Sequence, residues 1–259
     1  MKVLITGGNG YIAKSIYNKL KDKHDIILIT RNDFDLTNSR AVNSFFDKKY
    51  FDVLIHTAIV GGSRLKQDNE HVLDDNLIMY YNLLMNKGSY GKFINLGSGA
   101  ELLMKDAPYG LSKHVIRESI LNKNDFYNIR IFGVFDENEL DTRFIKANVK
   151  RYINNEPMMI QNKRMSFFYM DDLIMLINHY ITSNSGSLIT ESNCSYTTST
   201  SLLDIANIIN ELDDYKVPIY MDTQISKDYE STMNVPYSLN YIGLRQGIKN
   251  VYNKLKNEH

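Results

Sequence analysis

The chain has 259 residues, 43% of them hydrophobic, and its 30 basic and 30 acidic side chains cancel to a formal net charge of zero. That length builds one sizeable core, or a nucleotide domain carrying a small lobe, but not two large independent domains. The balanced charge gives no global field toward nucleic acid or an anionic membrane surface, the single cysteine, Cys194, cannot form an internal disulfide, and no apolar stretch approaches the roughly 18 residues of a membrane span.

Met1-Lys2-Val3-Leu4-Ile5 runs straight into a strand-like segment that meets Gly7 and Gly8. No room is left for a signal peptide, so a reducing, cytoplasmic home is expected. Short apolar runs at residues 3–6, 26–30, 53–57, 92–96 and 125–132 read as strands. The segments between them, 11–21, 38–48, 69–87 and 108–122, carry apolar residues at three- and four-residue steps and read as crossover helices. Such alternation predicts an α/β fold, a Rossmann-type doubly wound parallel sheet covered on both faces. After Phe132 the alternation stops. A helix over 141–154, strand-like runs at 158–161 and 165–170, a helix from Asp171, and an amphipathic helix over 199–212 with Ser199 or Thr200 as N-cap follow. The last helical region, 235–256, is expected to be broken by Gly243 and Gly247. The predicted division is a dinucleotide domain over 1–133, to which 165–190 returns, and a small C-terminal substrate lobe formed by 134–164 and 191–259.

Thr6-Gly7-Gly8-Asn9-Gly10-Tyr11-Ile12-Ala13 lies between the first strand and the first helix. Gly7 and Gly10 occupy the turn, and Ala13 stands where a third glycine often sits. Glycine allows the sharp turn and the close approach of a pyrophosphate to the N–H groups and partial positive charge of a helix N-terminus. Asn9, Tyr11 and Ile12 belong to the same expected cradle. At the end of the second strand an acidic residue selects an unphosphorylated ribose, and an arginine accommodates a 2′-phosphate. Thr30-Arg31-Asn32 stands there, so Arg31 favours NADP(H); NAD(H) is the alternative if Asp33 reaches the ribose instead. Asp35 and Leu36 are expected to flank the adenine, and Thr57, Ala58 and Val60 to complete the wall.

Carbonyl reduction needs a proton donor, and a tyrosine of ordinary pKa near 10 serves better beside a cation. Tyr109-Gly110-Leu111-Ser112-Lys113 places phenol and ammonium one helical turn apart. Tyr17/Lys21 and Tyr252/Lys256 share that spacing, but only Tyr109/Lys113 follows the fourth strand, near the carboxyl edge where ligands of open α/β sheets bind. Ser98, leaving the same strand end, can offer a hydroxyl to a substrate carbonyl, or serve only as a turn serine.

The Gly7–Ala13 turn, the Ser98 loop and Tyr109/Lys113, in that order, resemble the extended short-chain dehydrogenase/reductase family, also called NAD-dependent epimerase/dehydratases. His56-Thr57-Ala58, Asn76, Phe167-Phe168-Tyr169-Met170-Asp171-Asp172 and Gly243-Leu244-Arg245-Gln246-Gly247-Ile248 extend the likeness over nearly the whole chain. The resemblance implies a bound nicotinamide dinucleotide and a nucleotide-sugar substrate. Tyr109 would then be the general acid/base, Lys113 the residue that orients the nicotinamide ribose and lowers the tyrosine pKa, and Ser98 the group that polarises the carbonyl. Thr30-Arg31, Asp35-Leu36 and Val60-Gly61-Gly62 are most similar to NADPH-dependent 4-keto-sugar reductases such as GDP-fucose synthases. The chain departs from them at Ala100, where they carry an epimerising cysteine, and at Asp141-Thr142-Arg143-Phe144, where no histidine acid stands; plain reduction is the more economical expectation. Gly133 replaces an asparagine common after the fifth strand, and the stretch between Ser98 and Tyr109 is shortened.

Gly99, beside Ser98, is a candidate substrate contact, and Arg143 and Arg164 are candidates to grip a diphosphate, each alternatively a solvated surface charge. The histidines show no metal-like spacing, so no metal is implied. Rival readings are an NAD-dependent nucleotide-sugar epimerase and a non-catalytic dinucleotide-binding protein. Homodimer formation is left open by the sequence.

Overall fold

The computed structural model describes residues 1–63, 67–196 and 200–257. Its central sheet is built from β1 (Lys2–Thr6), β2 (Asp25–Ile29), β3 (Phe51–His56), β4 (Tyr90–Ser98), β5 (Phe126–Ile131) and β9 (Glu191–Cys194) in the order β2-β1-β3-β4-β5-β9. β1 pairs in parallel with both β2 and β3, and β3 with β4, through registers such as Thr6↔Ile29, Thr6↔His56 and His56↔Asn95. The chain winds outward from β1 in both directions, so the strand order reverses between β1 and β3. Open α/β sheets bind ligands outside the carboxyl ends of the strands at such a reversal.

The crossover helices are α1 (Tyr11–Leu20), α2 (Ser39–Phe46), α3 (Val72–Met85) and α5 (Pro108–Leu121). β3 and β4 are nearly continuous buried runs, as strands covered on both faces must be. The edge strand β2 alternates exposed and half-buried residues. Leu4, Leu54, Tyr80, Leu83, Phe93 and Ile116 join one core, in which the rings of Phe93 and Phe126 stack at 4.9 Å.

By its packing the chain forms two compact units, Met1–Arg130 with Leu176–Ser192, and Ile131–Met175 with Asn193–His259. The second has its own core around Ile145, Val149, Tyr152, Ile205, Ile248 and Val251. These come from α6 (Phe144–Ile153), α8 (Leu202–Asn210) and α9 (Leu244–Asn257). β6 (Val134–Phe135) pairs with β8 (Phe168–Tyr169), β7 (Met158–Asn162) pairs with β10 (Ile219–Ile225), and α7 (Met170–Thr182) runs from the second unit into the first.

Several predicted boundaries move, each for a local reason. α6 starts at Phe144 rather than 141, because Asp141 remains outside and binds the Lys146 and Lys150 ammonium groups at 2.8 and 2.7 Å. The N-cap of α8 is Ser201 in a capping box with Asp204, not Thr200; Ser199 lies outside the described residues. The helical stretch expected from 235 begins only at Leu244, after Gly243 at φ +84°. Gly247 does not break that helix; a Cβ there would meet Tyr169 Cγ at 2.8 Å, so it admits the ring. The strand expected over 165–170 is confined to Phe168–Tyr169, and β6, β9, β10 and the short α4 (Ala100–Leu103) are additions. β10 is exposed at six of its seven positions, so no buried face patterns its sequence. Among the described residues no helix is long and apolar enough to cross a membrane.

Candidate active site

The strand reversal brings the end of β1 against the end of β3. Gly7 adopts φ +71°, and a Cβ there would lie 2.8 Å from both N and Cα of Ala58, so only glycine lets the two strand ends close. Thr57 Oγ1 donates to Thr6 O at 2.6 Å, and Gly10 N donates to Gly7 O at 2.8 Å. Gly10 is the N-cap of α1; no side chain caps that helix and its first turn holds no acidic residue. Tyr11 and Ile12 therefore start a helix whose N-terminus is suited to an anion. Ala13, fully buried, seats the helix on the sheet.

A cavity of 250 Å³ opens here, walled by Gly7, Asn9, Gly10, Arg31, Asp35, Leu36, Thr57 and Ala58 among the expected cofactor residues. Tyr11, Ile12 and Val60 are not among its walls. Ile29, Thr30, Phe34, Ile59 and Met79 also line it; Met79 comes from α3, too distant in sequence to be read from a motif. Asp33 is occupied locally, its Oδ2 accepting from Thr30 N and Oγ1 at 2.8 Å each, which holds its carboxyl below the usual range. Asp35 is held low mainly by the Thr37 N–H and hydroxyl, and further by Arg31. The sharp turn, the uncapped helix and the cavity fit the diphosphate and adenosine end of a dinucleotide.

Further along the same edge, β4 ends at Ser98 and α5 starts with Pro108 at its first turn. Tyr109 is half-buried, and its ring is covered by Gly62, where a Cβ would lie 2.7–2.8 Å from three ring carbons. Asn76 ties that loop to the helix: its side chain bonds both N and O of Val60 (2.8 and 3.0 Å) and donates to Ser112 Oγ, which donates to Tyr109 O. Lys113 is buried one turn after Tyr109, and its ammonium donates to Leu96 O at 2.6 Å. Burial lowers its pKa to about 8, against the opposing pull of Glu101. His56, buried beside Thr6 Oγ1 at 2.9 Å, is lowered to about 3 by burial and by the Lys113 charge, so it is neutral. Ser98 Oγ accepts from Ala100 N at 3.2 Å, with Gly99 between them.

Arg143 and Arg164 belong to the second unit. Arg143 is the N-cap residue of α6 and acts on Glu139 electrostatically. Arg164 is ion-paired to Glu230 at 3.3 Å. Glu101, fully buried beneath Ser98, was not anticipated; the Ser-x-x-Glu pattern of Ser98-Gly99-Ala100-Glu101 was its available signal.

The chain is 25% identical over 245 residues to a CDP-abequose synthase of Yersinia pseudotuberculosis, covering 83% of this chain and 85% of that protein. It is 34% identical over 102 residues to a GDP-L-fucose synthase of Azorhizobium caulinodans, covering 38% and 33% respectively. Its fold matches that of a GDP-mannoheptose C4 reductase from Campylobacter jejuni, with a TM-score of 0.82 over 98% of both chains at 16% identity. The sequence pattern of one family spans residues 3–189, from the first strand through the glycine turn, Ser98 and Tyr109/Lys113. With that pattern on that fold, the chain belongs to the NAD dependent epimerase/dehydratase family.

Proposed function

We propose that the chain is an NADPH-dependent reductase of a keto group, at C4, on a nucleoside-diphosphate deoxy-sugar, with Tyr109 as proton donor. The observation that carries this reading is the placement of Tyr109 and the buried Lys113 one turn apart on α5, beside the β4 end that bears Ser98. The names of its similar proteins, two nucleotide-sugar synthases and a C4 reductase solved with NADP bound, support the substrate class. Arg31 at the cavity rim, with Asp33 already bound by Thr30, supports NADP(H) over NAD(H).

When bound, the dinucleotide supplies the hydride. Ser98 Oγ polarises the carbonyl, and Tyr109 OH delivers the proton to the oxygen on which negative charge develops. The positive charge of Lys113, sharpened by burial, stabilises the phenolate left behind. Gly62 against the ring and Asn76 across loop and helix fix the phenol's direction. Arg143 and Arg164 are the proposed diphosphate ligands of the second unit.

The test follows dinucleotide oxidation with a panel of nucleoside-diphosphate 4-keto-6-deoxyhexoses. One NADPH consumed per sugar reduced, with weaker use of NADH, is the expected result. An isomerised sugar without net consumption identifies an epimerase, and cofactor binding without turnover a non-catalytic binder. Tyr109→Phe is expected to retain NADPH binding while losing about 10²–10⁴-fold in turnover; unchanged turnover removes Tyr109 from the chemistry.

A further inference from the structure

Behind the Ser98 loop lies a group of buried charges that the proposed reaction does not use. Glu101, on α4, is completely buried, and three donors converge on its carboxylate: Ser98 N at 3.2 Å, Asn128 Nδ2 at 2.8 Å and Arg130 Nε. Arg130 continues to Glu191, which Arg117 grips through Nε and Nη2 at 2.5 and 2.8 Å. Asn128 is held in turn by Asn95 Nδ2 at 2.7 Å. Gly97 leaves the space for this arrangement, since a Cβ there would lie 2.7 Å from Glu101 Oε2 and 2.6 Å from Asn128 Oδ1.

The bond from Ser98 N alone would be a local helix-capping feature. Two further observations exceed it. A cap at a helix start is ordinarily solvated, whereas this carboxylate is withdrawn from water, which is costly unless its charge is used and partnered. On the neighbouring α5, Lys113 is also withdrawn from water, and its ammonium donates to Leu96 O, two residues before the Ser98 N–H that Glu101 accepts, so the two charges grip the same strand end. Burial pushes the Glu101 carboxyl up while Arg130 opposes that rise, and the Glu101 charge favours the protonated form of Lys113. The other ionisable groups acting here are His56 from β3, which is neutral, Arg130 from β5, Arg117 from α5 and Glu191 from β9.

We propose that Glu101 is a positioning residue of the active site: its carboxylate fixes the strand end that carries Ser98 and serves as the buried counter-charge of Lys113. The catalytic meaning rests on the reductase reading, but the electrostatic coupling does not. Arg130 and Asn128 orient the carboxylate, so one group governs both the polarising hydroxyl and the cation beside Tyr109.

The test uses the full chain without sugar or dinucleotide. Protein carrying carbon-13-labelled lysine is titrated by NMR, and the Lys113 signal is identified by its absence in Lys113→Met. Glu101→Gln keeps the shape and removes the charge; Lys113 is expected to bind its proton at least about tenfold more weakly than in the wild type. An unmoved titration in folded Glu101→Gln overturns the proposal. Coupling between two sites is reciprocal, so Lys113→Met supplies a second reading if Glu101→Gln does not fold. In protein carrying carbon-13-labelled glutamate, the Glu101 signal is identified by its absence in Glu101→Gln or, if that variant does not fold, in Glu101→Asp. The Glu101 carboxyl carbon must titrate at higher pH in Lys113→Met than in the wild type, and the absence of that displacement overturns the proposal. A wrong substrate class leaves both titrations unaffected, so the two readings fail separately.

Discussion

The two units bury their acids in different company. In Met1–Arg130 with Leu176–Ser192, the buried Glu101 is answered by charged and amide side chains, Arg130 and Asn128, and acts on Lys113. In Ile131–Met175 with Asn193–His259, backbone N–H groups carry the larger share, whereas Glu101 accepts only one, from Ser98. Asp172 accepts from Ile242 N at 2.7 Å and Gly243 N at 2.9 Å, as well as from Tyr196 OH at 2.5 Å, and Glu139 accepts from Lys146 N at 3.3 Å. A carboxylate held by side-chain counter-ions keeps its charge coupled to other titratable groups. One held by N–H groups fixes the path of the chain. The difference is one of degree, since Arg143 and Lys146 also act on Glu139 through their charge: the first unit ties its acid chiefly into a chain of charged side chains, the second chiefly to the backbone of its loops.

The largest effect should come from two helix-interior glycines, one in each unit. A Cβ at Gly110 would lie 1.9 Å from Met104 O and 2.7 Å from its carbonyl carbon, whereas at Gly247 the obstacle is the Tyr169 ring. Gly110→Ala is expected to cost about 4 kcal/mol or more, since backbone of the α4–α5 corner must shift. Gly247→Ala should cost about 1–2 kcal/mol, because a ring can move and alanine improves helix propensity. Denaturant unfolding of both variants checks the order, and equal costs would break the comparison of a corner closed by backbone with one closed by side chains.

Next in size is Asp172→Ala, which strands two N–H groups and a phenol and should cost about 3 kcal/mol. If the second unit's acids serve geometry, affinity for the nicotinamide dinucleotide measured below the melting range stays within about twofold of the wild type. A collapse of cofactor binding would show that this acid reaches the chemistry as well.

Smaller effects come from pH, with opposite signs in the two units. His56 has a folded pKa of about 3, below the unfolded 6.5, so between these values the unfolded chain binds more protons. Its contribution is intact above 6.5 and is lost as pH falls toward 3. Glu139 is raised from 4.5 to about 8, chiefly by burial, so its contribution is intact below 4.5 and is lost as pH rises through 8. Melting temperatures across pH should fall less steeply on the acid side in His56→Gln and less steeply on the alkaline side in Glu139→Gln. Each difference is expected to be on the order of 1–3 kcal/mol. Parallel curves for wild type and variant would remove the residue concerned from the comparison.

Much of the fold was legible because its causes are local. The apolar runs that became β1, β3 and β4, the three- and four-residue steps of α1 and α5, and the glycine turn at residue 7 are each written within about a dozen neighbouring residues. Tyr109 and Lys113 share a helix face by spacing alone. Illegible were elements whose sequences carry no pattern of their own, such as the exposed β10 and the two-residue β6 and β8. The 235–243 stretch looked helical, yet Gly243 at positive φ and the Asp172 acceptors end that possibility.

What the sequence by itself determined, then, is the alternation of strands and crossover helices from β1 to β5, the anion-suited turn and the phenol–ammonium pair, all products of short-range periodicity and backbone permissiveness. Which carboxylate would be sealed from water beneath Ser98, and that His56 would stand neutral beside Lys113, only the tertiary structure decided. Burial is a property of the whole packed sheet, and the partners that make it tolerable, Asn128 and Arg130 for Glu101, lie 27 and 29 residues away along the chain.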